Sequence, residues 1–130
     1  MGAMTPAPIT AVSGLAAATL RLNVSAQNVA NADDVSEIGG PPAYSPLAVQ
    51  QSALPSGGVT ATAVTLAPGQ TLAYDPASPF TDGSGLVQAP EIDPVSEITN
   101  QLAAGQAFAY SLAALKAADE EQQALLDMTS

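Results

Sequence analysis

Cysteine and histidine are absent from the 130 residues, and aromatic residues make up only 4% of the chain. Without cysteine, the chain can form neither a disulfide nor a thiolate zinc site. Without histidine, it lacks the commonest general base, and Lys116 is the only lysine that could activate a serine or threonine nucleophile. We therefore expect a protein that is not an enzyme, with no catalytic residue, no cofactor and no small-molecule substrate.

Basic residues are almost as scarce. Arg21 and Lys116 stand against 12 acidic residues, which gives a formal net charge of −10. Binding to nucleic acid depends on several Lys or Arg residues that displace counterions, so nucleic acid is excluded as a partner. Docking on anionic lipid is disfavoured for the same reason.

Long apolar runs are also missing. No unbroken run of about 18 apolar residues occurs, so we expect no membrane insertion. The first residues lack a basic region followed by a hydrophobic core, so we expect no cleaved signal peptide, and residues 1–8 are predicted to be disordered or tag-derived.

Alanine dominates the apolar residues that are present, which make up 47% of the chain. Alanine favours helices but buries little area per residue. The sequence therefore predicts a thin core to which a partner subunit contributes part of the burial.

The N-terminal part of the chain has helical periodicity, and we predict a helix over residues 9–32. Apolar residues recur at intervals of three and four along one stripe. The members of this stripe are Val12, Leu15, Thr19, Leu22, Ala26 and Val29. Pro6 and Pro8 lie just ahead of the predicted helix, where proline is tolerated.

Residues 33–93 differ in character, because they contain most of the prolines and glycines. Between these breaks, residues 59–66 alternate β-branched and small residues as a strand does, and residues 47–54 are a plausible pairing partner. The Pro55–Gly58 turn between them predicts a β-hairpin within a small β-rich middle segment.

Residues 94–130 predict a long C-terminal helix. Asp93 and Pro94 match an N-cap followed by proline at the first helical position, and Glu97 lies near the positive end of the helix dipole. A second stripe, widened by Phe108, Leu115 and Leu125, again steps by three and four. It comprises Val95, Ile98, Leu102, Gly105, Ala109 and Leu112.

These elements predict an α+β fold in which two long terminal helices form an antiparallel coiled-coil-like pair around a β-rich middle segment. The N-terminal helix would form an inner core with residues 94–128. Loose, alanine-rich stripes favour completion of this packing by other copies of the chain. A self-contained α+β domain with a helical-hairpin core is the alternative.

Several motifs resemble the flagellar rod and hook family of axial proteins. Residues 13–15 read SGL, and residues 21–32 read RLNVSAQNVANA, which is similar to the N-terminal helix of that family. The segments GGPPAY at 39–44 and YDPASP at 74–79 resemble motifs of its proximal rod proteins. The similarity extends in order from Ser13 to about Leu126.

The resemblance also has departures. A family histidine corresponds to Ser78, an arginine to Gln106, a tyrosine to Phe108 and an asparagine to Ser111. A cation and a phenol hydroxyl are thus missing from the terminal helix. The chain is therefore identified as a divergent member.

The resemblance implies a structural subunit of the proximal rod that polymerises with other rod proteins and with copies of itself to transmit torque from motor to hook. It further implies export through the flagellar type III apparatus, without a cleaved signal peptide, to a rod that crosses the periplasm. We expect ten residues to form subunit interfaces or helix packing. They are Leu15, Leu22, Asn28, Val29, Asn31, Ile98, Leu102, Phe108, Leu112 and Leu115.

Arg21 is the only arginine of this acidic chain. It forms either an ordinary ion pair on the helix surface or, as our sharper hypothesis, an ion pair with an acidic residue of a neighbouring subunit. The alternative function is a free-standing acidic helical-hairpin module or secretion adaptor.

Asp33, Asp34 and Glu37 could in principle hold calcium, but they lack the spacing of an EF-hand loop, so we expect no metal site. Tyr74 is predicted to pack its ring on the helices in a turn stabilised by Asp75.

Overall fold

The computed structural model describes residues 6–129, and its order of elements is helix, four strands, helix. Helix α1 covers Pro6–Ala30 and helix α2 covers Pro94–Thr129. The strands are β1 (Leu47–Ala53), β2 (Val59–Thr65), β3 (Gln70–Tyr74) and β4 (Leu86–Pro90). The α+β class expected from the sequence is therefore correct.

Helix α1 begins and ends earlier than predicted. It starts at Pro6, inside the stretch expected to be disordered or tag-derived, whose residues 1–5 lie outside the described part of the chain. Proline fits the first turn because the N–H it lacks has no intrahelical partner there. The helix ends at Ala30 rather than 32, because the hydrogen bonds that follow change from i→i−4 to i→i−3: the N–H of Ala32 donates to the carbonyl of Val29 at 3.3 Å, and the N–H of Asp34 donates to that of Asn31 at 3.1 Å.

Helix α2 begins at Pro94, as the cap motif predicted. The Asp93 carboxylate accepts a hydrogen bond from the backbone N–H of Val95 at 3.1 Å and another from the Ser96 hydroxyl at 3.0 Å. The first of these bonds satisfies a backbone N–H that the first helical turn leaves unpaired.

The strands form two separate two-stranded antiparallel sheets. Strands β1 and β2 form the predicted hairpin, with Leu47 opposite Thr65 and Ala53 opposite Val59. Strands β3 and β4 pair from Gln70↔Pro90 to Tyr74↔Leu86 and were not predicted, because their short segments carry neither alternation nor a two-residue turn.

The loop between β3 and β4 is organised by Asp82 rather than by Asp75. The Asp82 carboxylate accepts backbone hydrogen bonds from Ser84 at 2.8 Å and Leu86 at 3.0 Å. The prediction that the Tyr74 ring packs on the helices is wrong, since 73% of Tyr74 is exposed. Its ring lies beside Gly85, whose φ of +79° suits glycine at this turn.

The two helices run antiparallel and enclose a thin core. Ser25 of α1 contacts the first turns of α2, whereas Gly14 contacts Ser111 farther along α2. Among the described helix residues other than proline, the buried apolar side chains are five alanines and one valine. They are Ala11, Ala17, Ala18, Ala104, Ala118 and Val24.

Helix α1 is long and apolar enough to span a membrane, since Ala7–Ala30 has 24 residues and a mean hydropathy of 1.2. A criterion based on unbroken apolar runs misses it, because polar residues interrupt the helix. Two of these, Ser25 and Asn28, are buried and bond to α2 and β1. These contacts fit the core helix of a folded domain better than a membrane span.

Candidate subunit interface

The contact between α1 and α2 is made by small residues. At Gly14, an added Cβ would lie 2.5 Å from the hydroxyl oxygen of Ser111. Ala18 of α1 and Ala104 of α2 are almost completely buried. Small side chains let helix backbones approach closely, so this face packs well without large aliphatic residues.

Asn28 is the centre of the contact between α1 and the middle segment, and only 2% of it is exposed. Its Nδ2 donates to the carbonyl of Leu47 at 2.9 Å and to Glu97 Oε1 at 3.2 Å. Its Oδ1 accepts from the N–H of Leu47 at 3.0 Å and from the Tyr44 hydroxyl at 2.6 Å. Both donors and both acceptor sites of the amide are thus used.

Ser25 adds a second polar contact, one helical turn before Asn28. Its hydroxyl donates to the backbone carbonyl of Glu97 at 3.1 Å and accepts from Gln101 Nε2 at 3.1 Å. Together with Asn28, this serine fixes the register between the end of α1 and the start of α2, since a shift of either helix would leave buried polar groups unpaired.

Tyr44 lies against this polar contact. Burial raises the pKa of its phenol, and the nearby carboxylate of Glu97 raises that pKa further. Both effects oppose formation of a phenolate, so the neutral hydroxyl is favoured as the donor to Asn28.

The SGL motif has a structural role as well. The Ser13 hydroxyl donates to the carbonyl of Thr10 at 2.7 Å and accepts from the N–H of Val59 at 3.1 Å. Gly58, with φ of +84°, lies so close that an added Cβ would be 2.7 Å from the Ser13 hydroxyl. Ser13 therefore attaches the β1–β2 hairpin to α1, while Gly14 beside it contacts α2.

The apolar stripes predicted from the sequence are not the most buried faces of α1 and α2. Each predicted stripe is offset by one residue from the most buried positions of its helix, and one residue corresponds to a rotation of about 100° around the helix axis. Val29 is 47% exposed, Ile98 56% and Leu102 67%, and Leu112 is also exposed. We call the two sets of residues the outer stripes. They are Val12, Leu15, Thr19, Leu22, Ala26 and Val29 on α1, and Val95, Ile98, Leu102, Gly105, Ala109 and Leu112 on α2.

The other expected interface residues lie nearer the helix contact. Leu15, Leu22 and Leu115 are half-buried, and Phe108 is just exposed. Asn31 is half-buried, and its side chain bonds to its own helix. Asn28 and Asn31 of the motif therefore have different structural roles. Asn28, expected only by resemblance, is the one that connects three elements.

The residues that depart from the family motifs have simple local roles. Ser78 accepts a hydrogen bond from the N–H of Phe80 at 3.1 Å, and Gln106 is exposed on α2. Ser111 contributes its small side chain to the contact with Gly14.

Arg21 is half-buried and lines two grooves on α1. One groove also contains Glu97 and Asn100, and the other is lined mostly by alanine and glycine. Within residues 6–129, no carboxylate lies within ion-pair distance of Arg21. Over the same residues, no three acidic side chains come together as metal ligands, and this includes Asp33, Asp34 and Glu37.

Comparison with known proteins finds relatives that all carry the same description. The flagellar basal-body rod protein FlgC of Salmonella typhimurium (strain LT2) is 38% identical over 109 residues, covering 79% of this chain and 81% of the relative. That of Escherichia coli O6:H1 is 38% identical over 102 residues, or 74% and 75% of the two chains. That of Aquifex aeolicus is 32% identical over 114 residues, or 83% and 84%. No protein-family model matches the chain.

Proposed function

The chain belongs to the FlgC family of flagellar basal-body rod proteins, and we propose that it builds the proximal part of the rod. It is a structural subunit of the flagellar basal body, not an enzyme. Its contribution to motility is therefore mechanical.

The outer stripes are the observation that carries the proposal. Leu102, Ile98 and Val29 are exposed along the lengths of two helices. Large aliphatic side chains in such a row are stabilised when another helix covers them. In the rod, the helices of neighbouring subunits cover the outer stripes, and α1 and α2 act as a coiled-coil-like inner layer. The β-rich middle segment forms the outer layer.

The ten residues expected at interfaces divide into two groups under this proposal. Asn28 and Asn31 stabilise the subunit itself. The exposed residues Val29, Ile98, Leu102 and Leu112 contact neighbouring subunits, and the partly buried Leu15, Leu22, Phe108 and Leu115 border both kinds of contact. Arg21 forms an ion pair with a carboxylate of a neighbour.

The thin core of the subunit is consistent with export in an unfolded state. The subunit passes unfolded through the flagellar type III apparatus, and it folds where the rod crosses the periplasm. A core made mostly of alanine buries little area, which keeps the cost of unfolding for export small. The assembled rod then supplies the missing burial and transmits torque from motor to hook.

The family assignment favours this function over a free-standing interaction module or secretion adaptor. The two also differ in a measurement on the purified chain. A rod subunit sediments as a monomer with helices that melt at low denaturant, whereas an adaptor unfolds in one cooperative transition at high denaturant.

The direct test is deletion of the gene, followed by complementation. We expect the deletion strain to be non-motile and to lack a complete rod by electron microscopy of basal bodies. Complementation restores both, and mass spectrometry detects the chain in isolated basal bodies. Normal motility of the deletion strain, or absence of the chain from basal bodies, contradicts the proposal.

A further inference from the structure

One groove on the subunit combines an apolar lining with a single cation. It runs along α1 between the β1–β2 hairpin and α2, and its open volume is about 700 Å³. Ala11, Gly14 and Ala18 form its floor, Gln51 lies on the hairpin side, and Arg21 lies at one end. We call this the alanine groove.

Arg21 makes the alanine groove chemically selective. The residue is half-buried, and its guanidinium has no carboxylate within ion-pair distance among the described residues, although the chain carries 12 acidic residues. A partly desolvated arginine is stabilised by a carboxylate that it can bind with two parallel hydrogen bonds. The groove therefore fits a helical segment that presents large apolar side chains together with an acidic one.

The same chain carries such a segment at the end of α2. Helix α2 has 36 residues and α1 has 25, a difference of 11 residues or about 16 Å. Because Gly14 lies beside Ser111, residues beyond about 119 extend past Pro6, the first described residue of α1. We call residues 119–129 the α2 tip.

The α2 tip carries apolar side chains and an acidic side chain that complement the alanine groove and Arg21. Glu121, Leu125 and Met128 are spaced i, i+4 and i+7, so they share one face of the helix. Leu125 is 61% exposed and Met128 80%. From Glu121 to Met128 is about 10 Å along the helix, and from Arg21 to Ala11 is about 15 Å, so the face fits within the groove with its acid at Arg21.

We propose, on the basis of the proposed rod function, that the alanine groove of one subunit binds the α2 tip of a second copy, with Glu121 paired to Arg21. The groove and the tip are different surfaces, with Arg21 about 30 Å from the tip along the helix pair. Such a head-to-tail contact generates a ring or an open helical array rather than a closed dimer. A rod requires an open helical array of this kind.

Because the chain has no cysteine, engineered cysteines test the contact inside the rod. A chain with Gln51→Cys and a chain with Leu125→Cys are co-expressed in the deletion strain, and isolated basal bodies are oxidised. We expect a mixed disulfide dimer of the two chains on gels and in mass spectra. The matched control pairs Leu125→Cys with Ser84→Cys, an exposed position in the β3–β4 loop, and gives no mixed dimer.

Charge variants test the ion pair. Arg21→Glu in the Gln51→Cys chain is expected to lower the yield of mixed dimer about fivefold, as loss of one partly exposed ion pair would. Glu121→Arg in the other chain is expected to restore it. Circular dichroism of each purified variant checks folding, and Arg21→Lys provides a conservative variant that keeps the charge and most of the yield.

The outcomes separate the two proposals. If the chains are present in basal bodies but form no more mixed dimer than the control, or if Leu125→Cys links only to a different rod protein, the contact is wrong and the rod function stands. If neither chain is present in basal bodies, the rod function fails and this inference fails with it.

Discussion

The side chain of Asn28 bonds to both the N–H and the C=O of Leu47, at 3.0 and 2.9 Å, as a neighbouring strand would. The Asn28 amide thereby pairs with the backbone of Leu47, the first residue of β1, and links that strand to the end of α1. Tyr44 and Glu97 bond to the same amide, so one buried side chain joins the helix pair to the middle segment. This contact makes the stability of the subunit sensitive to a single residue of the motif.

Replacing Asn28 by alanine should destabilise the isolated subunit by about 3 kcal/mol, because buried groups of Leu47, Tyr44 and Glu97 lose their partner. Urea unfolding followed by circular dichroism measures the change. Asn31→Ala is the matched control and should cost at most about 1 kcal/mol, since the side chain of Asn31 bonds to the carbonyl of Gln27 in its own helix. Equal effects of the two variants would contradict the different roles assigned here.

Replacing Gly14 by alanine should destabilise the subunit by about 1–2 kcal/mol, even though alanine favours a helix, because the new methyl group meets the Ser111 hydroxyl. Ser111→Ala in the same chain should recover most of the loss. The control is Gly105→Ala, at which an added Cβ meets nothing within 4 Å. That control should stabilise by about 0.5–1 kcal/mol, and a stabilising Gly14→Ala would disprove the close contact.

Leu102→Asp should leave the isolated subunit within about 0.5 kcal/mol of wild type, since Leu102 is exposed. In cells it should abolish incorporation into basal bodies and swimming, because the carboxylate disrupts an apolar contact between subunits. Ala103→Asp introduces the same charge on a different face of α2 and should retain incorporation. Swimming in soft agar and mass spectrometry of basal bodies check both variants, and a motile Leu102→Asp strain would rule out the outer stripe as an interface.

The pKa of Tyr44 predicts a loss of stability at alkaline pH. Since the pKa is higher in the folded than in the unfolded chain, where it is about 10, the contribution of the neutral phenol is complete below pH 10. It is lost as the pH rises from 10 through the pKa of the folded state. The free energy of unfolding, measured between pH 8 and pH 11.5, should therefore fall more steeply in wild type than in Tyr44→Phe. Parallel curves would show that Tyr44 does not contribute.

Local signals in the sequence were sufficient for several elements. Pro55–Gly58 predicted the turn between β1 and β2, and Asp93 with Pro94 predicted the start of α2, because capping and turn chemistry depend on residues near in sequence. Strands β3 and β4 escaped prediction, since their pairing joins residues up to 20 positions apart and is organised by Asp82 in an irregular loop.

The sequence by itself determined the helical ends, the hairpin, the acidic and non-catalytic character, and the resemblance carried by motifs such as NVAN at 28–31. Only the tertiary structure decided which face of each helix lies inside. Periodicity identifies the most apolar face, which here includes Leu102 and Val29, but the subunit buries the face on which Gly14, Ala18 and Ala104 permit the closest approach of the two backbones. The larger residues remain exposed because each helix of the pair covers only one face of the other.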